Sequence, residues 1–440
     1  MSVATTVMRR AAWAGLCAVV AGCATHQAPP VSSRPLPPTA LALPSPPGLA
    51  VAAPTAASLA KPGVPLAQRP GFATADLAQA LAAFRASCPA LVRRIDASGL
   101  TQAGDWAAPC AASATATDGH SFFANALVPV VIGDGRGLDT GYYEPDLAAS
   151  PTPAPGFAVP IYRRPADLLD IDLGVFDAAL MGKHIRGRIA GERVVPYYDR
   201  AEIDAGTLAG RGLELAWAAD PYAAFFLEIQ GSGRLRMADG STLRVGYDGQ
   251  NGHAYTGIGR LLRERSALAP GQATMAGIID WLRAHPADAP DVLHANRSKI
   301  FFKRLNIPAD SGPPGALGVP LTARTSVAAD PAFVPLGAPL WLETTVSGAA
   351  FRGVVVAQDT GGAIKGANRL DLFWGSGDAA GAVAGGITAT GATTLLVPPP
   401  AAARLTTPAA ARLTTPAARP GTTAAAQPAT TADAAAPPRP

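Results

Sequence analysis

Residues 354–377 constrain the fold more than any other part of the chain, because two apolar runs are separated there by a glycine-rich loop. The first run ends at Asp359, and Asp371 lies in the second. Glycines permit tight turns that bulkier residues would block, so the pattern predicts a strand, a loop and a second strand. Carboxylates at the two ends of such a loop can converge on one cleft, an arrangement that suits acid–base chemistry on a polymer. The alternative is that both acids cap turns.

The N-terminal residues predict export. Arg9 and Arg10 precede an apolar segment at 11–20 that is too short to remain as a membrane span, and small residues then lead to Cys23. This pattern resembles a bacterial lipobox, so we expect residues 1–22 to be a lipoprotein signal peptide and Cys23 to be lipidated. The alanine after Cys23 resembles lipoproteins sent to the outer membrane, which predicts anchoring at its periplasmic face. A simple secretory signal with an incidental cysteine is the alternative.

Both ends of the exported chain are predicted to be disordered. Residues 23–70 are rich in Pro, Ala and Ser, and residues 398–440 are rich in Pro, Ala and Thr and contain a near-perfect repeat. Segments with so few bulky apolar residues cannot bury enough surface to offset the entropy of ordering. The predicted folded part is therefore 71–397, which is long enough for two domains.

The cysteines and the net charge limit the kinds of site that the chain can form. Cys88 and Cys110 remain after export, and they either form a disulfide or stay as two buried free thiols. The sequence has no C-x-x-C motif or His/Cys cluster, so a zinc site has no support. The formal net charge of +4 is small and spread along the chain. It argues against nucleic acid binding and suits weak attraction to an acidic polymer.

Apolar periodicity in the folded part predicts many short strands and a minority of helices. It predicts a helix capped by Thr74, a buried strand at 225–229 and a hairpin that turns at 239–240. Helical spacing returns at 258–262 and 278–282. Because strands and helices do not alternate regularly, we expect a mainly β barrel or sandwich architecture rather than a β-α-β fold.

Five further motifs follow one another along the chain: TGYYEP at 140–145, QGSGR at 230–234, GYDGQNGHAY at 246–255, GALGVPL at 315–321 and DPAFVPLG at 330–337. In order and content, they resemble the membrane-bound lytic murein transglycosylase A family over nearly all of residues 71–397. The C-terminal part carries Asp330, Asp359 and Asp371 and resembles the three-aspartate (3D) domain named for its acids.

The resemblance implies cleavage of the β-1,4 bond between N-acetylmuramic acid and N-acetylglucosamine in peptidoglycan, leaving a 1,6-anhydromuramic end, with no metal or organic cofactor. It also implies a double-psi β-barrel catalytic domain formed by residues 71–145 and 306–397, and a second β domain inserted at 146–305. The substrate groove would lie between these domains. The chain departs from the family at 296–299, where Asn-Arg-Ser-Lys stands in place of Asn-Pro-Ser and an aromatic residue.

One carboxylic acid can suffice for this reaction because the sugar supplies its own nucleophile. When the C6 hydroxyl attacks, no second acid is needed to hold water. The acid must keep a proton near neutral pH, so its pKa must be raised, as burial among apolar neighbours would do. Asp371 is flanked by leucines and aromatic residues in the sequence, and it matches the position of the family's acid/base. Asp359 is expected to bind loop amides, orient Asp371 or contact sugar hydroxyls.

Seven further residues are candidates for substrate contact: Tyr142, Tyr143, Gln230, Ser232, Asn251, His253 and Asp330. Alternation along a strand predicts that one tyrosine packs in the core and the other faces a sugar ring. His253 is either a packed residue that bonds its own loop or a sugar contact. Asp330 is either a turn residue or a contact, and Gln230 and Ser232 can bond sugar or backbone equally well.

Two other functions are compatible with the motifs. An inverting muramidase would use Asp371 as the acid and Asp359 as the base that activates water. A lipoprotein that binds murein without cleaving it is the alternative outside the enzymes. The presence of all three aspartates argues against this last interpretation.

Overall fold

The computed structural model describes residues 54–269 and 271–406, and within these ranges the chain is mainly β with a minority of helix, as predicted. The strands, β1 to β17 in chain order, are Ala60–Pro62, Val128–Ile132, Arg136–Glu144, Asp146–Ser150, Val159–Tyr162, Leu169–Asp172, His184–Ala190, Arg193–Pro196, Glu214–Ala218, Ser232–Met237, Thr242–Gln250, Ile300–Arg304, Ser326–Ala329, Pro339–Val346, Ala349–Asp359, Leu370–Ser376 and Thr388–Val397. The α-helices, α1 to α11, are Ala56–Leu59, Ala78–Leu91, Ala107–Thr115, Gly119–Ala126, Arg200–Glu202, Pro221–Gln230, Ile258–Glu264, Met275–Ala284, Ala289–His294, Asp378–Ala384 and Pro399–Thr406. Across these ranges, no helix combines the length and hydrophobicity needed to cross a membrane.

Six strands close into a barrel. Their hydrogen bonding runs in the order β3-β16-β13-β15-β14-β17 and returns from β17 to β3, so these strands have no free edge. β3 comes before residues 146–305 in the chain, whereas the other five strands come after them. Two distant parts of the sequence therefore build one barrel, and the closed β-barrel that the resemblance implies is confirmed.

The main hydrophobic core joins the barrel to the helices that precede it. Phe84 on α2 and Phe123 on α4 are fully buried, in one cluster with Val355 on β15. α2 is bonded to α3 through the Cys88–Cys110 disulfide. Of the two alternatives for these cysteines, the structure contains the disulfide. The barrel strands are thus covered by a helical layer on one side.

A second β region lies between β3 and β13. It consists of a six-stranded sheet, in the order β12-β11-β10-β4-β9-β5, and a three-stranded sheet, β6-β7-β8. The predicted hairpin is formed by β10 and β11, with Leu235 opposite Leu243 and Arg234 opposite Arg244. The leucines face the core of the six-stranded sheet. The arginines bind acids at the end of β3 and the start of β4, which fixes the hairpin to the barrel.

Two local predictions were wrong. Residues 225–229 belong to helix α6 rather than to a strand. Asp220 caps the start of α6 by accepting two backbone amides, and Gly231, with φ 77°, ends it in the left-handed region. An apolar run this short fits either structure, so the caps decide. Thr74 does not cap α2, which begins at Ala78 without a side-chain cap.

The predicted disordered segments extended too far into the fold. Residues 54–70 are structured, because β1 pairs with β2 and Leu66 is buried in the main core. Residues 399–406 form α11, whose apolar side also joins that core. Each stretch has a low average hydrophobicity but buries a few apolar side chains in the main core: Leu66 in the first, and Ala401, Ala402 and Leu405 in the second. The predicted signal peptide, Cys23 and the rest of both segments lie outside the described residues.

Candidate active site

A row of paired residues crosses the barrel and carries both acids. Ala328 on β13 pairs with Asp371 on β16 at one side and with Asp359 on β15 at the other. Thr140 on β3 pairs with Asp371 and extends the row. Because neighbouring strands lie about 4.8 Å apart, the two acids are separated by two strand spacings, about 10 Å between their Cα atoms. The predicted strand, loop and strand with an acid near each end of the loop is confirmed.

Alternate residues on one face of β3 bind the acids. The Thr140 hydroxyl donates to Asp371 Oδ1 at 2.6 Å. Two residues on, the Tyr142 hydroxyl donates to Asp359 Oδ2 at 2.8 Å. Residues two apart in a strand share a face, so one strand supplies both contacts. Gly141 lies between them because α10 packs closely there, and a Cβ atom would lie 2.8 Å from the Ala384 carbonyl oxygen.

Asp371 is half-buried and its pKa is suited to a general acid. The pKa of this carboxyl is raised to about 6, mainly by burial and to a smaller extent by the neighbouring carboxyl of Asp359. The hydrogen bond from Thr140 and the positive charge of Arg369 act in the opposite direction. Burial outweighs both, because a charged carboxylate loses more solvation than these two groups restore.

The apolar neighbours of Asp371 are divided between two faces of β16. Leu370 and Leu372 point into the main core, away from the acid. Phe373 shares the face of Asp371 and packs in a small cluster with Tyr142. The sequence neighbours of Asp371 were expected to supply its apolar surroundings. In the structure, these surroundings come from Phe373 and from Tyr142 on β3.

Arg369 lies two residues before Asp371 but does not form an ion pair with it. Its guanidinium donates to Thr140 Oγ1 at 2.9 Å and to the carbonyl oxygens of Leu138 and Leu370 at 3.1 and 2.5 Å. Within the described ranges, no cation is paired with Asp371. The acid is therefore free of the kind of partner that would hold it permanently ionised.

Asp359 is held by three donors. Its Oδ1 accepts the backbone amides of Ala316 and Thr360, both at 2.9 Å, and its Oδ2 accepts the Tyr142 hydroxyl. Burial raises the pKa of Asp359, and these hydrogen bonds oppose the rise. The side chain thus fastens the loop that contains Ala316 to the end of β15, in agreement with the expected binding of loop amides.

Tyr143 points away from Tyr142, in agreement with alternation along the strand. Its hydroxyl lies 3.8 Å from Met275 Sδ, and its backbone amide donates to Gln230 Oε1 at 3.0 Å. Ser232 is buried at the start of β10. Gln230 therefore binds backbone where the barrel meets the second β region. Contact of these side chains with sugar stays a prediction.

The three remaining candidates bind the backbone of the protein itself. Asn251 is fully buried and donates to two carbonyl oxygens at 2.9 Å each. His253 Nε2 lies 2.7 Å from a backbone carbonyl, to which it must donate. Asp330 accepts the Gly366 amide at 2.8 Å in a buried turn. Their role in sugar binding stays a prediction. Over the same described ranges, His, Cys, Asp and Glu form no cluster that could hold a metal ion.

Sequence reasoning missed Thr140 and Arg369. Thr140 stands two residues before Tyr142, and Arg369 stands two residues before Asp371. In a strand, this spacing places Thr140 and Tyr142 on one face, whereas Arg369 immediately precedes β16. The spacing was therefore available in the sequence, but the pairing of β3 with β16 was not.

Two family domains match the chain. Residues 138–303 match the MltA specific insert domain, and residues 325–397 match the 3D domain. The membrane-bound lytic murein transglycosylase A of Vibrio cholerae is 39% identical over 196 residues, which are 42% of this chain and 52% of that protein. The chain therefore matches about half the length of this curated relative.

Solved structures agree with the sequence matches. The crystal structure of membrane-bound lytic murein transglycosylase from Agrobacterium tumefaciens is similar with a TM-score of 0.72 at 32% identity, over 79% of this chain and 99% of that one. The crystal structure of E. coli MltA with bound chitohexaose has a TM-score of 0.56 at 27% identity, over 77% and 91% of the two chains. The chain belongs to the membrane-bound lytic murein transglycosylase A family and contains its C-terminal 3D domain.

Proposed function

We propose that this protein is a lytic transglycosylase that cleaves the β-1,4 bond between N-acetylmuramic acid and N-acetylglucosamine and forms 1,6-anhydromuramic ends. The observation that carries the proposal is the state of Asp371. This carboxyl is half-buried, and its pKa is raised to about 6, mainly by burial. Its hydrogen-bond partner is the Thr140 hydroxyl and not a cation, which would hold it ionised. Such a group can keep a proton and also give it up.

In the proposed reaction, Asp371 acts twice. It first donates its proton to the glycosidic oxygen, while the bond from that oxygen to C1 of the muramic sugar breaks. The carboxylate then accepts the proton of the C6 hydroxyl, and the C6 oxygen forms a new bond to C1. One proton leaves Asp371 and one returns, so no water is consumed. The attack is intramolecular, which makes a positioned second base unnecessary.

Asp359 is proposed to support this reaction rather than to carry it. Its hydrogen bonds hold the loop after β12 and the ring of Tyr142 beside the row of acids. Any charge that it carries also opposes the ionisation of Asp371. This repulsion favours a protonated Asp371 before the bond breaks.

The relative with bound chitohexaose supports a β-1,4-linked amino sugar polymer as the substrate, because chitohexaose is such an oligomer.

We also propose that a lipid on Cys23 anchors the protein to the periplasmic face of the outer membrane, next to the murein layer. Metabolic labelling with a radioactive fatty acid tests the anchor. Labelling of the wild type and its loss in Cys23→Ser is the expected result.

Analysis of sugar ends tests the reaction. Purified sacculi are digested with the protein, and the released fragments are examined by mass spectrometry. Anhydro ends, which are lighter than reducing ends by one water molecule, support the proposal. Reducing ends without anhydro products contradict it. Binding without any turnover supports the non-enzymatic murein-binding alternative.

The spacing of the acids favours an inverting muramidase as the second candidate. Two strand spacings give about 10 Å between the Cα atoms, from which two side chains on one face can hold their carboxyl groups at the roughly 6.5–9.5 Å of inverting enzymes. Against it, Asp359 accepts three hydrogen bonds, which favour its ionised form and so weaken it as a base. Digestion in ¹⁸O-labelled water distinguishes the candidates, because only hydrolysis incorporates the label.

A further inference from the structure

The side chains of Arg369, Thr140 and Asp371 form a chain of two hydrogen bonds. Arg369 Nη2 lies 2.9 Å from Thr140 Oγ1, which lies 2.6 Å from Asp371 Oδ1. The guanidinium is fixed from behind by the carbonyl oxygens of Leu138 and Leu370. Thr140 lies on β3, Asp371 lies on β16 and Arg369 immediately precedes β16, so the geometry depends on two neighbouring strands of the barrel.

The direction of both hydrogen bonds follows from the chemistry of the donors. A guanidinium group can only donate, so Thr140 Oγ1 must accept from Arg369. The single hydrogen of the hydroxyl is then directed to Asp371 Oδ1. That oxygen is an acceptor in both protonation states of the acid. The exchangeable proton of Asp371 is left to Oδ2.

From this geometry we infer that Arg369 and Thr140 are positioning residues that confine the catalytic proton to Oδ2 of Asp371. The inference rests on the proposed transglycosylase reaction and adds an assignment of which oxygen acts. Both proton transfers, to the glycosidic oxygen and from the C6 hydroxyl, then take place at one atom. When the proton is held on one atom, less entropy is lost in reaching the reactive geometry, and this is the contribution expected of a positioning group.

The groups around Asp371 are consistent with this role. Asp359 on β15 and Tyr142 on β3 face the acid, and Ala328 on β13 places no charge between the two carboxyls. Asp139 lies on the opposite face of β3, where it also feels the charge of Arg369. Among these described groups, Arg369 is the only cation, and the Thr140 hydroxyl lies between it and Asp371.

Three variants test the inference: Thr140→Val, Thr140→Ser and Arg369→Met. Valine keeps the shape of threonine but cannot donate, whereas serine keeps the hydroxyl. We expect Thr140→Val to lower kcat by about 10- to 100-fold and to move the alkaline limb of the pH profile of kcat/KM to higher pH. This shift follows because a hydrogen bond that favours the carboxylate is lost. Thr140→Ser should restore the wild-type limb and most of kcat.

Arg369→Met should also move the alkaline limb to higher pH, since it removes a positive charge that favours ionisation. A Thr140→Val profile with an unchanged limb, or a Thr140→Ser variant as impaired as Thr140→Val at equal thermal stability, would overturn the inference. Wild-type sugar ends are analysed in the same preparation. If the wild type forms no anhydro ends, the proposed function fails. If it forms them and the limb does not move, only the positioning role fails.

Discussion

The two ends of β16 hold carboxyl groups in opposite ways. At its start, Asp371 pairs with Thr140 of β3 and is bound by a hydroxyl. At its end, Ser376 pairs with Glu144 of the same strand, and Glu144 is bound by a cation. Both oxygens of Glu144 accept from Arg244 Nη2, at 2.7 and 2.8 Å, and the pair is almost completely buried.

The difference separates a chemical role from a structural one. Glu144 is fully buried and both of its oxygens bind one guanidinium group, so its contacts are those of a residue that holds the fold together. Arg244 also donates to the carbonyl oxygens of Pro308 and Ser311 at 3.0 and 2.7 Å. It therefore joins the outgoing and returning connections of the second β region. Asp371 lacks such a partner and keeps its proton exchangeable.

The comparison predicts the largest effect at Asp371. Replacement by Asn keeps the size of the side chain but removes the acid, so activity on sacculi should fall by about 10³- to 10⁴-fold, or about 4–5 kcal/mol. Release of anhydro fragments measures the loss, and thermal unfolding should show a fold at least as stable as the wild type at pH 8. Activity within tenfold of the wild type would remove Asp371 from its assigned role.

Glu144→Gln should have its main effect on stability. The substitution leaves Arg244 buried with an unpaired charge, and breaking a buried pair in this way costs about 3–5 kcal/mol. Urea unfolding at pH 7 measures the change. The exposed Arg260–Glu264 pair on α7 supplies the matched control. Glu264→Gln should cost less than about 0.5 kcal/mol, and equal effects at the two sites would contradict the structural role of Glu144.

Some of the contacts of Asp371 could be predicted from the sequence and others could not. Asp359 and Asp371 could be placed at the ends of a loop because strand, loop and strand are adjacent in the chain. Thr140 could not be placed beside Asp371, because 231 residues separate them. The single apolar run of α6 fitted a strand equally well until its caps at Asp220 and Gly231 were considered. Local patterns were therefore predictable, whereas contacts that depend on barrel closure were not.

Asp139 sharpens the comparison, because it is a buried carboxyl on β3 whose oxygens lack a hydrogen-bond partner in the described part of the chain. Burial raises its pKa from 3.8 to about 6. The folded protein therefore binds this proton more tightly than the unfolded chain does. The associated stability is present at acid pH and is lost as the pH rises through about 6.

Asp139→Asn does not titrate, so its stability relative to the wild type should increase between pH 4 and pH 8. The increase should be at most about 3 kcal/mol, from a shift of about two pKa units. Urea unfolding at several pH values measures it. A difference between Asp139→Asn and the wild type that does not change with pH would show that Asp139 is ionised in the fold.

The smallest effect is expected at Tyr142, which links the second acid to the site without taking part in proton transfer. Tyr142→Phe removes one hydrogen bond to Asp359 Oδ2, so it should cost about 1 kcal/mol of stability and less than tenfold in activity. The products should remain anhydro fragments, because the two amide hydrogen bonds still hold Asp359. If Asp359 were a base for water, the loss of this hydrogen bond would make it a stronger base, and reducing ends would increase. Sugar-end analysis of this one variant therefore distinguishes a supporting carboxylate from a catalytic one.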